Sequence, residues 1–474
     1  LSSMSKREEE GWRFLPQEGA MRVPGWVVTN PALAHQTDEE AALQQVKNVA
    51  TLEGIVEASI AMADIHWGYG FPIGGVAAFD AHRGLISPGG VGYDINCGVR
   101  LAVAPVRWKD VSAEQRKNLL HHLSRNIPSG PGSTGSVELS DQDLDLVLTQ
   151  GAKFAVAHGW GYPEDLQHCE EGGCMLDADP FAISGVARNR GRRQLGTIGS
   201  GNHFVEVGRV AECFQPEIAQ KWGIQEGLLY VLIHTGSRGL GHQTCQDALD
   251  GLAKGGFGEG LVDPQLMSVS ISSLEGKHYW AAMNAAANFA FANRQRILHL
   301  VRQSLHQVLG CQMDQVKLVY DVCHNIAKIE SHRVHGELCE LLVHRKGATR
   351  AFGPGRPELP EIFQGTGQPV LVPGDMRRAS FVMQGLGHPR AWCSACHGAG
   401  RCLSRHKAAA LYEGRHPIQE MAQQGILVSS PGLRAVAEEM PDAYKDVTEV
   451  VAATEAAGLA RKVARLEPSL VVKG

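Results

Sequence analysis

The sequence predicts a mixed α/β fold, on three observations. Two apolar runs, Leu228–Ile233 and Val316–Val322, have the length and β-branched content of buried strands. From about residue 275 to 309, Met283, Ala286, Ala290, Ile297, Leu300, Val301, Leu305 and Val308 recur at helical spacing, the core-facing stripe of one long helix. Hydrophobic residues make up 43% of the 474 and charged residues 20%, enough apolar surface for a large core and too much for a disordered chain.

The remaining elements follow in chain order. Residues 1–10 are polar and charged, so no signal peptide is expected there; Leu-Ser-Ser ahead of Met4 reads as a cloning remnant before a flexible start. Thr37 with Glu40 has the form of a capping box, and Ala42, Val46 and Val49 follow at helical spacing. Ser112 with Gln115 repeats that signal before Leu119, Leu120 and Leu123, and Pro128 stops the helix. A third strand, Phe204–Val207, begins directly after His203 and the glycines at 199 and 201. No run of 18 apolar residues, internal repeat or Ser/Pro linker interrupts the chain, so one domain spanning 1–474 and no membrane contact are expected. Eleven scattered cysteines argue for reduced thiols in the cytoplasm. The net charge of −5 restricts any nucleic-acid contact to a local basic surface.

Histidine numbers 21, and it is the commonest metal ligand and the acid–base group of neutral pH. His203, His234 and His324 each stand at a strand edge beside Gly or Asn, where strands fix direction and loops give access. GGVGYDINCGVR, residues 89–100, adds Asp94 and Cys97 three apart, giving O, N and S donors suited to a transition metal. CSACHGAGRCLSR, residues 393–405, contains the Cys-x-x-Cys-His form of haem attachment, which belongs to exported chains. Zinc sets from Cys393, Cys396 and Cys402, or from His168, Cys169 and Cys174, lack a convincing fourth ligand. His397 is better read as a nucleophile, since the Gly-Ala-Gly after it lets backbone N–H groups approach a phosphate. Basic residues cluster at Arg188, Arg190, Arg192 and Arg193, at Arg345, Lys346 and Arg350, and at Arg401 and Arg405. They are phosphate contacts only if they surround the metal and His397.

Taken together, SIAMADIHWGYGFPIGGVAAFD, GGVGYDINCGVR, QLGTIGSGNHFVEV, IHTGSRGLGHQ, YDVCHNIAKIE, HRKGATRAF, HGAGRCLSR and the terminal VVKG resemble the RtcB-type tRNA-splicing ligases from about Gly54 onward. The resemblance implies a fold with a mixed β core and the active site in a cleft. It implies two Mn²⁺ ions, one on Asp94 and His203 and one on His234 and His324, with Cys97 between them. His397 matches the histidine that becomes guanylylated with GTP, and Asp64 the carboxylate that orients it. Asn202, His203, Phe204, Val205, Glu206, His324, Asn325, Pro373, Gly374, Asp375, Met376, Ser380, His397, Gly398, Ala399, Gly400, Tyr444 and Lys473 match the guanine-nucleotide pocket. Arg188, Arg190, Arg238, Arg345, Arg401 and Arg405 are the candidates for RNA phosphate.

The implied activity joins RNA 2′,3′-cyclic-phosphate or 3′-phosphate ends to 5′-hydroxyl ends, in tRNA splicing or RNA repair, with an archease-type activator as a possible partner. The sequence departs from the family pattern at GDMRRASF, residues 374–381, over Leu386–Cys396, and at Ala63. Arg377 and Arg378 cannot fill the space of small residues, so the loop must turn them outward or reshape. These departures leave open a relative that caps 3′-phosphate ends of RNA or DNA without efficient sealing. A catalytically silent scaffold has no need of the complete ligand set.

Overall fold

The computed structural model describes residues 8–34 and 39–474. The N-terminal leader as far as residue 7 and Thr37 of the first capping box lie outside them; the helix expected there runs Glu39–Val49. The second capping box is formed: Ser112 Oγ accepts the Gln115 N–H at 3.1 Å and Gln115 Oε1 accepts the Ser112 N–H at 2.9 Å, opening the helix Ala113–Asn126. The long stripe becomes the helix Leu274–Leu309, 36 residues or ~54 Å. Ser273 caps its start by accepting the Gly276 N–H, and Gly310, at φ 69°, ends it in the left-handed conformation that glycine adopts without strain.

This helix is more than core. Its middle is buried on nearly every side, including Asn288, Asn293, Arg294, Gln295 and Arg302. Each of these polar groups is satisfied by tying down a neighbouring segment. Asn293 Oδ1 accepts the Gly196 N–H, and its amide donates to the Thr197 and Gly236 carbonyls. Arg302 grips both oxygens of Asp165 at 2.6 and 2.8 Å.

Two large sheets each share a core cluster with this helix. The first runs, in spatial order, Glu8–Glu9, Trp12–Leu15, Gly25–Val28, Ser59–His66, Ile73–Asp80, Glu337–Lys346 and Asn325–Val334; only the pairing of Gly25–Val28 with Ser59–His66 is parallel. The second runs Lys317–Cys323, Gly98–Arg107, Leu228–Thr235, Phe204–Cys213, Ala460–Lys473, Ser380–Gly385 and Pro369–Val372, antiparallel along this path, with Leu427–Ser429 added in parallel to Ala460–Lys473. Its edge strands Pro369–Val372 and Lys317–Cys323 approach one another, so the sheet is nearly closed. The fold is the mixed helix–strand architecture the sequence predicts. Strand Phe204–Cys213 outruns the expected residues 204–207, and His234 lies inside its strand because it pairs with both Val99 and Phe204.

His324 is the one residue between Lys317–Cys323 and Asn325–Val334, at the point where the chain leaves the second sheet for the first. The cleft opens at this junction.

Candidate active site and metal centre

Four neighbouring strands of the second sheet present ligands at one edge. Cys97 precedes Gly98–Arg107, His203 precedes Phe204–Cys213, His234 is next to last in Leu228–Thr235, and His324 follows Lys317–Cys323. Antiparallel pairing makes these starts and ends coincide: Gly98 pairs with both Cys323 and Thr235, and Phe204 with His234. Asp94 joins through a tight turn in which the Cys97 N–H donates to the Asp94 carbonyl at 2.9 Å and Asn96 takes φ 52°. Gly236 packs against the Asp94 carboxylate so closely that a Cβ there would lie 2.5 Å from an oxygen.

Buried charge holds this edge rigid. Asp321 accepts from Arg100 Nε at 2.7 Å and from Arg294 Nε and Nη2 at 2.8 and 2.9 Å. Arg294 Nη1 then donates to the Asn96 carbonyl at 2.8 Å and the Thr235 carbonyl at 3.0 Å, bracing the Cys97 turn against the His234 strand. The sequence gives no sign of this role, because Arg294 lies on a helix whose apolar spacing reads only as core.

The donor atoms converge in two groups that share Cys97. Asp94, Cys97 and His203 form one, and Cys97, His234 and His324 the other, each with its ligand atoms within 4.8 Å of one another. Cys97 Sγ lies 3.5 Å from His203 Nε2 and 3.4 Å from His234 Nε2, and Asp94 Oδ2 lies 2.8 Å from His203 Nε2. His234 Nε2 and His324 Nε2 face each other at 3.2 Å, and neither Nδ1 has a hydrogen-bond partner. Burial drives both imidazoles well below pKa 6.5, so both present lone pairs at neutral pH. Burial, then the Asp94 charge, raises the Cys97 thiol; a cation on Sγ favours the thiolate and reverses that shift. Imidazole, carboxylate and a sulfur fit a divalent transition metal.

The alternative clusters do not form. The two groups containing Cys97 are those found among the described residues. Cys393 packs in one core cluster and Cys396 in another, where it accepts from Thr454 Oγ1. His168 Nδ1 donates to the Val319 carbonyl, Cys169 to that of Asp165 and Cys174 to that of Thr149.

His397 follows the short strand Ser394–Cys396, which pairs with Ala348–Arg350. Its Nδ1 lies 2.6 Å from Asp64 Oδ2, and that oxygen also accepts the N–H groups of His397 and Gly398 at 2.9 and 3.1 Å. Burial works against ionisation of Asp64, but the His397 charge and hydrogen bonds outweigh it, so the carboxyl stays below its ordinary range. Gly400, at φ +73°, lies where a Cβ would come within 2.3 Å of the Asp64 carbonyl, so this loop requires glycine. The His397 and His324 ring centres are 4.8 Å apart.

A cleft of about 560 Å³ contains both features. It is lined by Asn202, His203, Phe204, Glu206, His324, Asn325, Pro373–Met376, His397–Gly400, Tyr444 and Lys473. Two expected pocket residues do not line it. Val205 points into the core on the opposite face of its strand from Phe204 and Glu206, as a period of two dictates. Ser380 stands behind the loop, its Oγ accepting the Gly374 N–H at 3.1 Å. Burial raises Glu206 to about 7 despite the hydrogen bond from Tyr230 Oη at 2.5 Å, and lowers Lys473 to about 8.

Of the arginine candidates, Arg190, Arg238, Arg401 and Arg405 line the cleft. Arg345 does not: it is 1% exposed, bidentate to Glu330 and bonded to Ser394 and the Trp392 carbonyl, so it is an internal brace. Arg188 is held by Asp145 at 2.6 Å away from the cleft. Lys346 and Glu439 are among the cleft residues that escaped the sequence reading. Lys346 was noted only as part of a charge cluster, and Glu439, buried against Arg401, Arg405, Lys473 and Tyr444, sits in a segment with no distinguishing spacing. The departing loop turns on Asp375, whose Oδ1 accepts the N–H groups of Arg377 and Arg378 at 2.9 Å. Arg378 folds back onto Asp375 Oδ2 at 2.9 Å and Arg377 is exposed, so neither lines the cleft.

A family model described as tRNA-splicing ligase RtcB matches residues 45–474. The chain belongs to the RtcB family. It is 50% identical to the tRNA-splicing ligase RtcB of Thermococcus kodakarensis, over 98% of this chain and 97% of that protein. It is 48% identical to that of Archaeoglobus fulgidus over 96% of this chain and 95% of that one. The RNA-splicing ligase RtcB of Mycobacterium tuberculosis is 49% identical over 91% of this chain and its own full length. As an RtcB family member the chain carries its metal-capable cluster buried at the cleft floor, and none of its described helices is long and apolar enough to cross a membrane.

Proposed function

We propose that this chain is a cytoplasmic, GTP-dependent RNA ligase that seals 2′,3′-cyclic-phosphate or 3′-phosphate RNA ends to 5′-hydroxyl ends. Asp94, Cys97 and His203 would hold one Mn²⁺ and Cys97, His234 and His324 a second, supplying positive charge to the reacting phosphates. With Asp64 on Nδ1, the His397 tautomer is fixed and Nε2 is the nitrogen free to react. Nε2 attacks the α-phosphorus of GTP and pyrophosphate leaves. A 3′-phosphate oxygen of RNA then attacks the phosphorus of His397–GMP; the P–N bond breaks and the RNA carries a 3′-ppG end. The 5′-hydroxyl oxygen of the partner strand attacks the 3′-phosphorus, GMP departs, and a phosphodiester remains. A cyclic phosphate is first opened by water.

Glu206 and Lys473, on adjacent strands with Val471 paired to Glu206, would read the N1/N2 edge and O6 of guanine. The observation carrying this reading is the His397 arrangement: one ring nitrogen held by a buried carboxylate, the ring 4.8 Å from a metal-capable histidine. The test is chelator-treated protein reloaded with Mn²⁺ and given α-labelled GTP, then 3′-phosphate RNA with a 5′-hydroxyl partner, with and without an archease-type activator. Label passing from protein to RNA and released on sealing supports a ligase. Label stopping on the RNA end means a capping enzyme, and unlabelled protein removes the nucleotidyl-transfer reading.

A further inference from the structure

Trp67 is 59% exposed, and its indole makes no hydrogen bond or ring contact with any described residue. Isolated exposed apolar side chains are ordinary. The setting of this one is not. Its chain neighbour His66 lines the cleft, as does Tyr69 two residues on.

The loop carrying it is clamped. Gln45 donates to the Gly68 carbonyl at 2.5 Å and accepts the Gly68 N–H at 3.0 Å, while Gln265 accepts the Gly70 N–H at 2.9 Å. Lys346 Nζ donates to the carbonyls of Tyr69 and Phe71, and His66 Nδ1 donates to the Asp64 carbonyl at 2.8 Å. These bonds fix the backbone that carries the indole between the cleft-lining residues His66 and Tyr69. From Tyr69 the wall continues in aromatic rings: Tyr69 meets Tyr93 edge-on at 5.7 Å, and Tyr93 lies 6.1 Å from His242, which also lines the cleft. The cleft lining carries the guanidinium groups of Arg190, Arg238, Arg401 and Arg405 together with the carboxyl groups of Asp94, Glu206, Asp375 and Glu439.

A flat, exposed ring beside a groove that carries guanidinium groups is what a single-stranded nucleic acid uses, because every base offers a face for stacking and every phosphate a charge. We propose that Trp67 is a base-stacking residue for the single-stranded RNA that enters the cleft, packing against a nucleobase near the reacting end. The proposal rests on the RNA-ligase reading. Stacking involves no phosphate, so Trp67 contributes to affinity without contributing to its salt dependence.

The experiment measures binding of single-stranded RNA to full-length, Mn²⁺-loaded protein, with separate 3′-phosphate and 5′-hydroxyl oligonucleotides, for the wild type, Trp67→Ala and Trp67→Phe. Thermal melting checks each fold, and the Phe variant keeps a ring of similar placement should the Ala variant misfold. We expect Trp67→Ala to weaken one of the two RNAs about tenfold, ~1.4 kcal/mol, with the salt slope unchanged and most of the affinity kept by Trp67→Phe. Abasic substitution in that RNA at the stacked position should erase the difference between wild type and Trp67→Ala. Binding of both RNAs by folded Trp67→Ala within twofold of wild type overturns the proposal, as does loss confined to self-association of the protein. Wild type that seals RNA while Trp67→Ala binds normally removes only Trp67's role; wild type that neither takes up GMP nor seals removes the ligase reading itself.

Discussion

The metal-capable wall of the cleft takes its donor atoms from the ends of four adjacent strands and the Asp94 turn, whereas the second wall is assembled from segments 373–376, 397–405 and 439–444 between short elements. On the first wall, strand register and the Arg100–Asp321–Arg294 brace fix each side chain, so the positions tolerate little change. On the second, Asp375 turns the loop and leaves Arg377 and Arg378 outside the cleft lining. Donors that must converge within a few ångströms sit where the backbone is bound into a sheet.

The largest effect expected from either wall is at the meeting point, His397. His397→Ala should abolish covalent GMP uptake from labelled GTP, yet still join RNA supplied with a preformed 3′-ppG end, because that step uses no nucleophilic imidazole. Failure with the preformed end would mean that His397 serves the metal wall as well. Next comes the shared thiol. Cys97→Ala should lower both metal equivalents in elemental analysis, while His203→Ala or His324→Ala should mainly empty one, since only Cys97 belongs to both groups. Two full equivalents in Cys97→Ala would remove the bridge. Manganese must be supplied after chelation, because imidazole and thiolate bind Zn²⁺ more tightly.

Arg294 tests whether the strand wall is as rigid as the brace implies. Arg294→Met leaves Asp321 with one of two guanidinium partners and frees the Asn96 and Thr235 carbonyls in the interior. Loss of about 3 kcal/mol in denaturant unfolding is expected; a change under about 0.5 kcal/mol, the scale of a surface substitution, would mean the wall does not need it. The smallest effect belongs to the loop wall. Arg377→Gly with Arg378→Thr should shift the KM for GTP and the salt slope of RNA binding by less than about twofold, because neither side chain lines the cleft. A flatter salt slope, by about one unit per lost phosphate contact, would show that Arg377 reaches the RNA.

How much was legible in the sequence follows the same division. The histidines at strand edges stood out because apolar runs stop at a polar residue beside glycine or asparagine, and antiparallel pairing brings such stops together. Period-two alternation already separates Val205 from Phe204 and Glu206, and Arg345 from Lys346, so a motif read residue by residue claimed too much at both places. Arg345 was misplaced because a run of basic residues reads as one charged face, whereas in a strand successive side chains part. Arg294 and Glu439 were illegible for another reason. Their partners, Asp321 and Lys473, are distant in sequence, and only the assembled core brings them together.

The most direct test of the account is to map the GMP adduct by peptide sequencing of labelled protein, under alkaline conditions that preserve a phosphoramidate. The account predicts one acid-labile GMP on the peptide containing His397, lost on adding 3′-phosphate RNA and greatly reduced in Asp64→Ala, where Nδ1 is no longer held. GMP on any other residue, or full labelling of His397 in Asp64→Ala, would contradict it.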